Sequence, residues 1–506
     1  MLAWTIYSSF IGAALLMVLP RQHASLPRIV ALVTAVLGLC LAFGGAIQMG
    51  SGELRTIVRV PWVSALGIDY HLGADGISLT LVVLTGLAAV AGILFMWNIA
   101  TRPHEFFALY LALIGGVYGV FLSLDLFLFF VFYEIAIIPK YFLIAIWGST
   151  RREYGAMKLA LYSFAGSAMV LIGLIAAYVA AGSSTMNLMD LSAANFSRGF
   201  QMWAFPVVFI GFGVLAGLWP FHTWAPTGHV AAPTAASMLL AGVVMKLGAY
   251  GCLRVAMVLF PEGMDVWGIK ILWIGSWRDV FGLLAVIGIV YGAMVALVQK
   301  DLKFVIGYSS VSHMGFVLLG LMTLNRVGLS GAVLQMFSHG VIAGLLFAVV
   351  GRMVYDRTHT RLLPELQQLH LNRTMPFAAV TFTLASMASM GLPGFSGFVA
   401  ELQVLIGAWR AFPTLAVMTG IGILLGVAYS IRALHQAFFP DQVKTAAPAG
   451  PEDPVGDPIS VSERFGVWLL IAASLLIGLF PGLLLQWIVP ALQGPMFEAL
   501  KKGGNW

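Results

Sequence analysis

The chain has 506 residues, of which 60% are apolar and only 9% are charged, and its mean hydropathy is +0.94. A soluble domain carries about 25% charged residues, so this chain has too few charges to cover a surface that faces water. The excess of 27 Lys and Arg over 21 Asp and Glu is small and indicates no nucleic-acid partner. The composition therefore predicts a polytopic membrane protein whose main surroundings are the lipid bilayer.

Apolar stretches long enough to cross a bilayer recur along the whole chain, judged by the ~20 residues that one crossing needs. They lie near 3–20, 27–48, 77–100, 105–123, 125–148, 155–182, 204–230, 234–260, 279–299, 303–323, 327–354, 375–410, 412–439 and 465–490. The predicted fold class is an all-α integral membrane protein with about 14 transmembrane helices.

Predicted helices 7 and 12 contain sequence that should break them inside the membrane. Helix 7 runs into GLWPFHTWAPTGHVAAP, with Pro220, Pro226 and Pro233, and helix 12 is interrupted by GLPGFSG at 391–397. Proline lacks the backbone N–H and its ring clashes with the preceding turn. Broken backbone at membrane depth requires a protein interior or a water-filled cavity around it.

Three short matches recur in order at nearly equal offsets of 176, 175 and 174 residues. The matched positions are Asp125 and Asp301, Ser163 and Ser338, and Gly217 and Gly391. They predict two repeats, helices 4–8 and helices 9–13. Because five helices is an odd number, the second copy enters from the opposite face, which is the inverted-repeat plan of ion transporters.

The predicted organisation and orientation follow from these repeats and from the loops. The predicted units are helices 1–3 at 1–104, the first repeat at 105–260, the second at 279–439, a cytoplasmic linker at 440–463, and helix 14 with a tail at 464–506. Loops after odd-numbered helices carry 15 Lys and Arg, against 10 in the others and the C-terminus. Since cytoplasmic loops are enriched in Lys and Arg, both termini are predicted to lie outside.

Four charged residues are predicted to lie deep inside the helices. They are Glu134, Lys140, Lys246 and Glu401, and no other acidic residue is expected to lie as deep. A charge at the bilayer centre costs about 2.5–3.5 kcal/mol on insertion scales, so such residues usually mark an ion path. The alternative is a structural role as a buried ion pair that fixes helix packing.

Histidines supply candidate links between these charges. His222 and His229 flank the break in helix 7, and His313 and His339 lie in helices 10 and 11. Histidine titrates near neutral pH and relays protons, although each of the four is as readily a hydrogen-bonded packing residue. Lys303 is either a cytoplasmic anchor or a link between the repeats.

Six strings together carry a specific resemblance that covers nearly the whole chain. They are PFHTWAPTGHVAAPTAAS, KLGAYG, DLKFVIGYSSVSHMGF, MFSHG, DRTHTR and GLPGFSGFVAEL. They resemble the proton-antiporter family of membrane subunits, and within it the M chains (mitochondrial subunit 4) of respiratory complex I, the NADH–quinone oxidoreductase. Glutamate at 401 favours the M chains, because the L and N chains and the antiporter homologues usually carry lysine there.

The resemblance implies roles for the buried residues. Glu134 resembles the helix-5 glutamate that modulates a pump lysine, Lys246 the helix-8 lysine that passes protons along the membrane axis, and Glu401 the exit-side residue of helix 12. The four histidines match family histidines on the hydrated axis. The implied function is proton translocation through linked half-channels, driven by quinone reduction elsewhere in the complex.

The resemblance also implies partners, cofactors and a location. Other complex I membrane subunits would surround the chain, with the L and N chains on either side, in a bacterial inner membrane. NADH, FMN, iron–sulfur clusters and quinone would belong to partner subunits. No cofactor and no metal are expected in this chain, since it has no CxxC and no phosphate loop after a strand.

This sequence departs from the family at two positions. The helix-7 pump lysine is expected at residue 215, where the chain has Leu215, while Lys140 stands where the family has a neutral residue. We hypothesise that Lys140 replaces the missing lysine and pairs with Glu134 across Pro139. An ideal helix places residues six apart on different faces, so the pairing needs a kink or a water molecule.

Three alternatives remain open from the sequence. The chain could serve in a multisubunit cation/proton antiporter, or in a membrane-bound hydrogenase or a related ferredoxin- or formate-linked complex. It could also be a structural spacer that lost pumping with the lysine at 215, although Glu134, Lys246 and Glu401 argue against complete loss.

Overall fold

The computed structural model describes residues 1–20, 25–50, 52–271, 274–440 and 457–502, without the side chains of 266–271 and 502. Twelve helices within these ranges are long and apolar enough to cross a membrane. Three shorter apolar helices accompany them, Ala3–Val18, Pro376–Ser389 and Gly482–Gln493. The predicted class, a mainly helical multi-pass membrane protein, is confirmed, while the total of 14 spans stays a prediction.

The described part of the first half contains eleven α-helices, two of which form one span together with π-helical turns. The α-helices are α1 (Ala3–Val18), α2 (Leu26–Met49), α3 (Gly76–Phe95), α4 (Pro103–Leu122), α5 (Leu126–Trp147), α6 (Arg152–Ala180), α7 (Leu188–Ser192), α8 (Arg198–Ala216), α9 (Trp224–Ala231), α10 (Thr234–Leu239) and α11 (Met245–Gly251). π-Helical turns at Leu240–Val244 and Cys252–Met257 continue α10 and α11 into one span.

The described second half repeats this pattern of long spans with short connecting helices. Its α-helices are α12 (Trp277–Val298), α13 (Leu302–Met322), α14 (Arg326–Ala348), α15 (Asp356–Thr358), α16 (Leu363–Leu366), α17 (Leu371–Thr374), α18 (Pro376–Ser389), α19 (Ser396–Ala411), α20 (Pro413–Phe438), α21 (Val461–Leu479), α22 (Gly482–Gln493) and α23 (Glu498–Lys502). A π-helical turn, Val349–Tyr355, extends α14.

Two antiparallel hairpins were not predicted from the sequence. The first pairs β1 (Arg55–Val63) with β2 (Ile68–Ala74), and the second pairs β3 (Val266–Ile271) with β4 (Ile274–Ser276). Both lie between spans, where backbone can pair locally outside the helical bundle. Helix 14 was also predicted as one segment, but it divides into α21 and α22 at Pro481, which cannot donate to a helical carbonyl.

The centre of the bundle is formed by α3, α13, α14 and the span that contains α10 and α11. These helices are buried almost all round, whereas α2 and α20 bury one side and expose the other. A helix that is apolar on every face belongs inside a larger bundle. Charged residues on the central helices therefore face protein and not lipid.

Both predicted helix breaks are present and are built alike. α8 ends before Gly217 (φ 85°) and α18 ends just before Gly391 (φ 70°), a backbone conformation that favours glycine. Leu218 donates its N–H to the Gly213 carbonyl, and Leu392 donates to Met387, the six-to-one bond of a Schellman cap. Each break thus satisfies carbonyls that the bilayer could not.

The starts of α5 and α13 also share one arrangement. Asp125 and Asp301 each cap the following helix by accepting from backbone N–H groups. Each also forms an isolated antiparallel bridge, to Asn187 and Leu362 respectively. This equivalence supports the predicted repeat, whose limits, like the other domain boundaries, stay predictions. The predicted linker 440–463 lies largely at 441–456, outside the described residues.

Arg254 is one of the ten Lys and Arg residues assigned above to the C-terminus and the loops after even-numbered helices, but its side chain is buried. Its guanidinium forms an ion pair with Asp75 at 2.7 Å and hydrogen-bonds Ser78 and Tyr250. The expectation that no other acidic residue lies as deep in the membrane as Glu134 and Glu401 stays a prediction, since depth is a different quantity from side-chain burial. Acidic residues at or near helix starts are more buried: Asp75, Asp125 and Glu463. A carboxylate at a helix start is stabilised by free N–H groups, which a span-by-span reading does not reveal.

We predict that Arg254→Met strongly destabilises the protein, because it leaves the Asp75 carboxylate buried without its partner. Removing one member of a buried pair costs about 3–5 kcal/mol, whereas an exposed pair contributes about 1 kcal/mol or less. Thermal unfolding in detergent should therefore show a large loss for Arg254→Met and little for Arg59→Met, whose partner Asp69 lies at the surface. Equal losses for the two variants would contradict this assignment.

Candidate proton path

A lysine in the middle of the bundle begins a row of ionisable side chains. Lys246 in α11 is fully buried, and its Nζ donates to the Ala241 carbonyl and lies 2.7 Å from His339 Nδ1. Ala241 belongs to the π-helical turn Leu240–Val244. Such turns are frequent at functional sites because they displace backbone carbonyls from the regular ladder. Here the turn supplies the acceptor that holds the Lys246 ammonium beside the imidazole.

Two histidines continue the row across α14 and α13. The rings of His339 and His313 are stacked with centroids 5.3 Å apart and planes 13° from parallel. His313 Nδ1 lies 2.7 Å from the Ser309 carbonyl and Nε2 3.2 Å from the Ser389 carbonyl. Since both nitrogens of His313 face acceptors, both contacts are satisfied only when each nitrogen carries a proton.

The row ends at the second broken helix. Glu401 in α19 is buried, and its Oε1 lies 3.5 Å from His313 Nε2. The preceding break at Gly391 brings the carboxyl to this point, since Gly391 has no Cβ to meet the Glu401 side chain. Four ionisable groups from four different spans therefore form a continuous sequence: Lys246, His339, His313 and Glu401.

Small cavities accompany the row. One, which offers about 10 Å³ to the centre of a water molecule, is lined by polar groups that include Gln335, Ser338, both histidines and Glu401. This is room for about one water molecule. A second, of about 20 Å³, is lined by apolar residues and by five residues that carry hydroxyl groups: Ser309, Ser386, Ser389, Tyr429 and Ser430. It extends toward the end of the bundle where α13 begins.

Lys303 and His229 form a branch at the end of the first broken helix. The Lys303 Nζ is buried and donates to the carbonyls of Val230 and Ala232, at 3.2 and 2.7 Å, where α9 ends. His229 is fully buried, interacts electrostatically with both Lys303 and Lys246, and has no hydrogen-bond partner on either ring nitrogen. Between the two readings of Lys303, this burial favours a link over a surface anchor.

His222 lies apart from the row. Its ring packs edge-on against Tyr291 at 5.2 Å and near Tyr308 at 6.5 Å, and its charge interacts with Lys158 on α6. Both ring nitrogens are buried and without hydrogen-bond partners among the described residues. The structure therefore places His222 next to the first break but does not join it to Lys246.

Glu134 and Lys140 lie on α5, separate from the central row. Glu134 is half-buried and interacts with the Ser167 side chain on α6, whose hydroxyl donates to the Phe164 carbonyl. Lys140 is fully buried and interacts electrostatically with Glu134, but in the described residues the two form no ion pair. Their side chains are not in direct contact. This agrees with their spacing of six residues, which places them on different faces of an ideal helix.

Several contributors to the site had no signal in the sequence. The π-helical turn beside Lys246 and the carbonyls of Ser309 and Ser389 that face His313 depend on how helices pack. Gln335 also lines the cavity, and it precedes His339 by four residues on α14. Because residues four apart lie on the same face of a helix, this spacing is the one sequence signal that could have identified Gln335.

The fold and site define a multi-pass helical membrane protein in which broken helices surround a buried row of ionisable residues. Residues 123–426 match the family described as NADH:quinone oxidoreductase/Mrp antiporter, TM. The chain belongs to this family of transmembrane subunits.

Relatives of known name cover most of the chain. It is 37% identical over 442 residues to NADH-quinone oxidoreductase subunit M of Rhodobacter capsulatus, covering 85% of this chain and 82% of that protein. It is 35% identical over 500 residues to subunit M of Escherichia coli (strain K12), covering 95% and 94% respectively.

Solved structures show the same fold. The chain resembles one chain of respiratory complex I from Thermus thermophilus with bound NADH, with a TM-score of 0.87, 27% identity and 99% of both chains covered. It also resembles one chain of the Mrp complex from Dietzia sp. DQ12-45-1b, with a TM-score of 0.84, 21% identity and 99% of both chains covered. The second likeness is one of fold alone.

We predict that a map resolving water will show an ordered water molecule in the cavity between His339, His313 and Glu401. The Gln335 Oε1 and the His339 Nε2 are buried without partners there, and buried polar groups are nearly always hydrogen-bonded. Gln335→Leu removes one polar group at similar volume and should lose this water. A cavity that is empty in the unmodified protein would contradict the prediction.

Proposed function

We propose that the chain is the M-type proton-translocating membrane subunit of an NADH–quinone oxidoreductase. The observation that carries this proposal is the row Lys246, His339, His313 and Glu401, which joins four helices through side-chain contacts in a protein-lined interior. Family membership and the similarity to subunit M proteins along nearly the whole chain support the complex in which the row would operate.

The row suits stepwise proton transfer. The Lys246 ammonium donates toward His339 Nδ1, so a proton passed there leaves a neutral amine and an imidazolium. A water molecule in the adjoining cavity could carry a proton from His339 Nε2 toward His313 or Glu401, since all three line that space. Each transfer moves charge between groups that the protein already solvates, which keeps the barrier low.

The driving energy in this proposal comes from partner subunits. NADH oxidation, FMN, iron–sulfur clusters and quinone reduction belong there, and this chain holds no redox centre of its own. Its neighbours would be other membrane subunits of the complex, with the L and N chains on either side. We place it in a bacterial inner membrane with both termini outside, as the distribution of Lys and Arg favours.

Two alternatives are less well supported. An Mrp-type antiporter subunit shares the fold, but similarity at 21% identity supports nothing beyond fold. A spacer without transport would have no need of the unbroken row, because four buried ionisable groups in the membrane are expensive to retain.

Purification through a tag on this chain tests the complex. Recovery of an NADH-oxidising flavoprotein with quinone reductase activity would support the proposal. Hydrogenase or antiporter partners, without such a flavoprotein, would overturn it.

We predict that Lys246→Met and Glu401→Gln, each in the assembled complex, lower the protons translocated per NADH oxidised. Loss of a positioned proton-transfer group reduces the rate about 10²–10⁴-fold, so flux through this subunit should nearly cease. Proton uptake into inverted membrane vesicles, divided by NADH consumption, measures this ratio. Lys501→Met and Glu498→Gln alter an exposed ion pair and serve as matched controls. An unchanged ratio in both test variants would contradict the role of the row.

A further inference from the structure

Lys140 differs from every other buried cation among the described residues. Five Lys and Arg side chains there are buried, and four have acceptors: Lys246, Arg254, Lys303 and Arg361. The Nζ of Lys140 is buried and has no hydrogen-bond partner. A buried ammonium without partners costs several kcal/mol, so this amine must be neutral at times or be solvated by water.

The same part of α5 contains one more unpaired side-chain atom and one backbone carbonyl that lacks its regular donor. The Glu134 Oε1 is buried and unpaired. Pro139 lies inside the helix and has no N–H, so the Ile135 carbonyl loses its regular donor four residues on. Glu134 and Lys140 are about 9 Å apart along the axis, at 1.5 Å per residue, and the Ile135 carbonyl lies between them. One helix thus carries a carboxyl oxygen and an amine without partners.

The neighbouring helix α6 adds a hydroxyl at the matching level. Ser167 lies beside Glu134, and Ser163 is one turn away on the same face, with its Oγ buried and unpaired. α5 and α6 are joined by a short loop and run antiparallel. Moving from Ser167 to Ser163 therefore follows the direction from Glu134 to Lys140.

We propose that Glu134, Lys140 and Ser163 enclose a hydrated proton-exchange site between α5 and α6, in which Lys140 takes up and releases the proton. This proposal rests on the proposed proton-translocating function and assigns the loading group of its first half. Lys140 lies about 10 Å along α5 from the helix end at Trp147, which gives the nearest aqueous access.

The exchange is a proton transfer without change of oxidation state. The Lys140 ammonium releases a proton to a water molecule, which passes a proton to the Glu134 carboxylate. The products are a neutral amine and a carboxylic acid, and the reverse transfer or uptake from the aqueous end reloads the amine. The Ser163 hydroxyl and the Ile135 carbonyl can hold the connecting water, since one donates and both accept hydrogen bonds.

The rival explanation is a permanent charge that fixes helix packing. It would place Lys140 in direct contact with Glu134, yet the two interact electrostatically without an ion pair within 4.0 Å. Position 215 on α8, where the family has its lysine, is a buried leucine in this chain. In the described part of 105–260 the buried lysines are Lys140 and Lys246.

The test compares Lys140→Met, Lys140→Arg and Lys140→His in the intact complex. Arginine keeps the positive charge but does not release its proton, whereas histidine can exchange one near neutral pH. We expect Met and Arg to lower proton flux per NADH about 100-fold through this subunit. His should retain flux that declines as the pH rises above about 6.5, because the imidazole then no longer loads.

Wild-type pumping by Lys140→Met, or full rescue by Lys140→Arg, would overturn the proposal, the second by showing that charge alone suffices. Complex content on native gels separates lost pumping from lost assembly. If Met and Arg do not assemble, the pH profile of Lys140→His decides, and a profile like that of the unmodified protein overturns the proposal.

Two controls isolate this site. Ile138→Met alters the exposed side of the same turn of α5 and should leave pumping unchanged. Lys246→Met tests the central row independently. If Lys246→Met abolishes pumping while Lys140→Met does not, only the exchange site is wrong. If neither matters, the proposed function fails.

Discussion

The energetic cost of an unsolvated charge in a low-dielectric interior determines how this bundle is arranged. Each ionisable side chain in the central spans must find acceptors or donors within the protein, or be neutral. Lys246 obtains them from a π-helical turn and from His339, and Lys303 from the carbonyls at the end of α9. The carbonyls of the irregular backbone therefore stabilise charge in the core, and the row of ionisable side chains depends on them.

The two broken helices meet the same constraint for the backbone. A helix that stops inside a membrane exposes carbonyls and N–H groups that lipid cannot satisfy. At both breaks a glycine at positive φ allows a Schellman cap, and the capped end turns the chain so that a new helix starts nearby. In the second half this turn carries Glu401 to His313. A broken helix thus creates its own polar environment and then places an ionisable group in it.

The sequence predicted much of this because proline, glycine and buried charge are strong local signals. Multi-pass character, both breaks and the burial of Lys140 and Lys246 followed from spacing and hydropathy alone. Arg254 was misread as a loop residue because its position near a span end is typical of an anchor, and only packing brings it to Asp75. The contact of Lys246 with His339 joins residues 93 positions apart. Such contacts arise from the arrangement of spans, which local pattern does not encode.

His313 and Lys140, one in each half of the chain, have their polar atoms satisfied by different means. Near Glu401, His313 has protein acceptors on both nitrogens, so its protons are held by fixed carbonyls. Near Glu134, by contrast, the Lys140 Nζ and the Ser163 Oγ are buried and have no hydrogen-bond partner in the protein. Water must take the place of those partners, since orphaned buried groups are rare in native proteins. Water rearranges more readily than a helix carbonyl, so a proton on Lys140 should exchange more easily than a proton on His313.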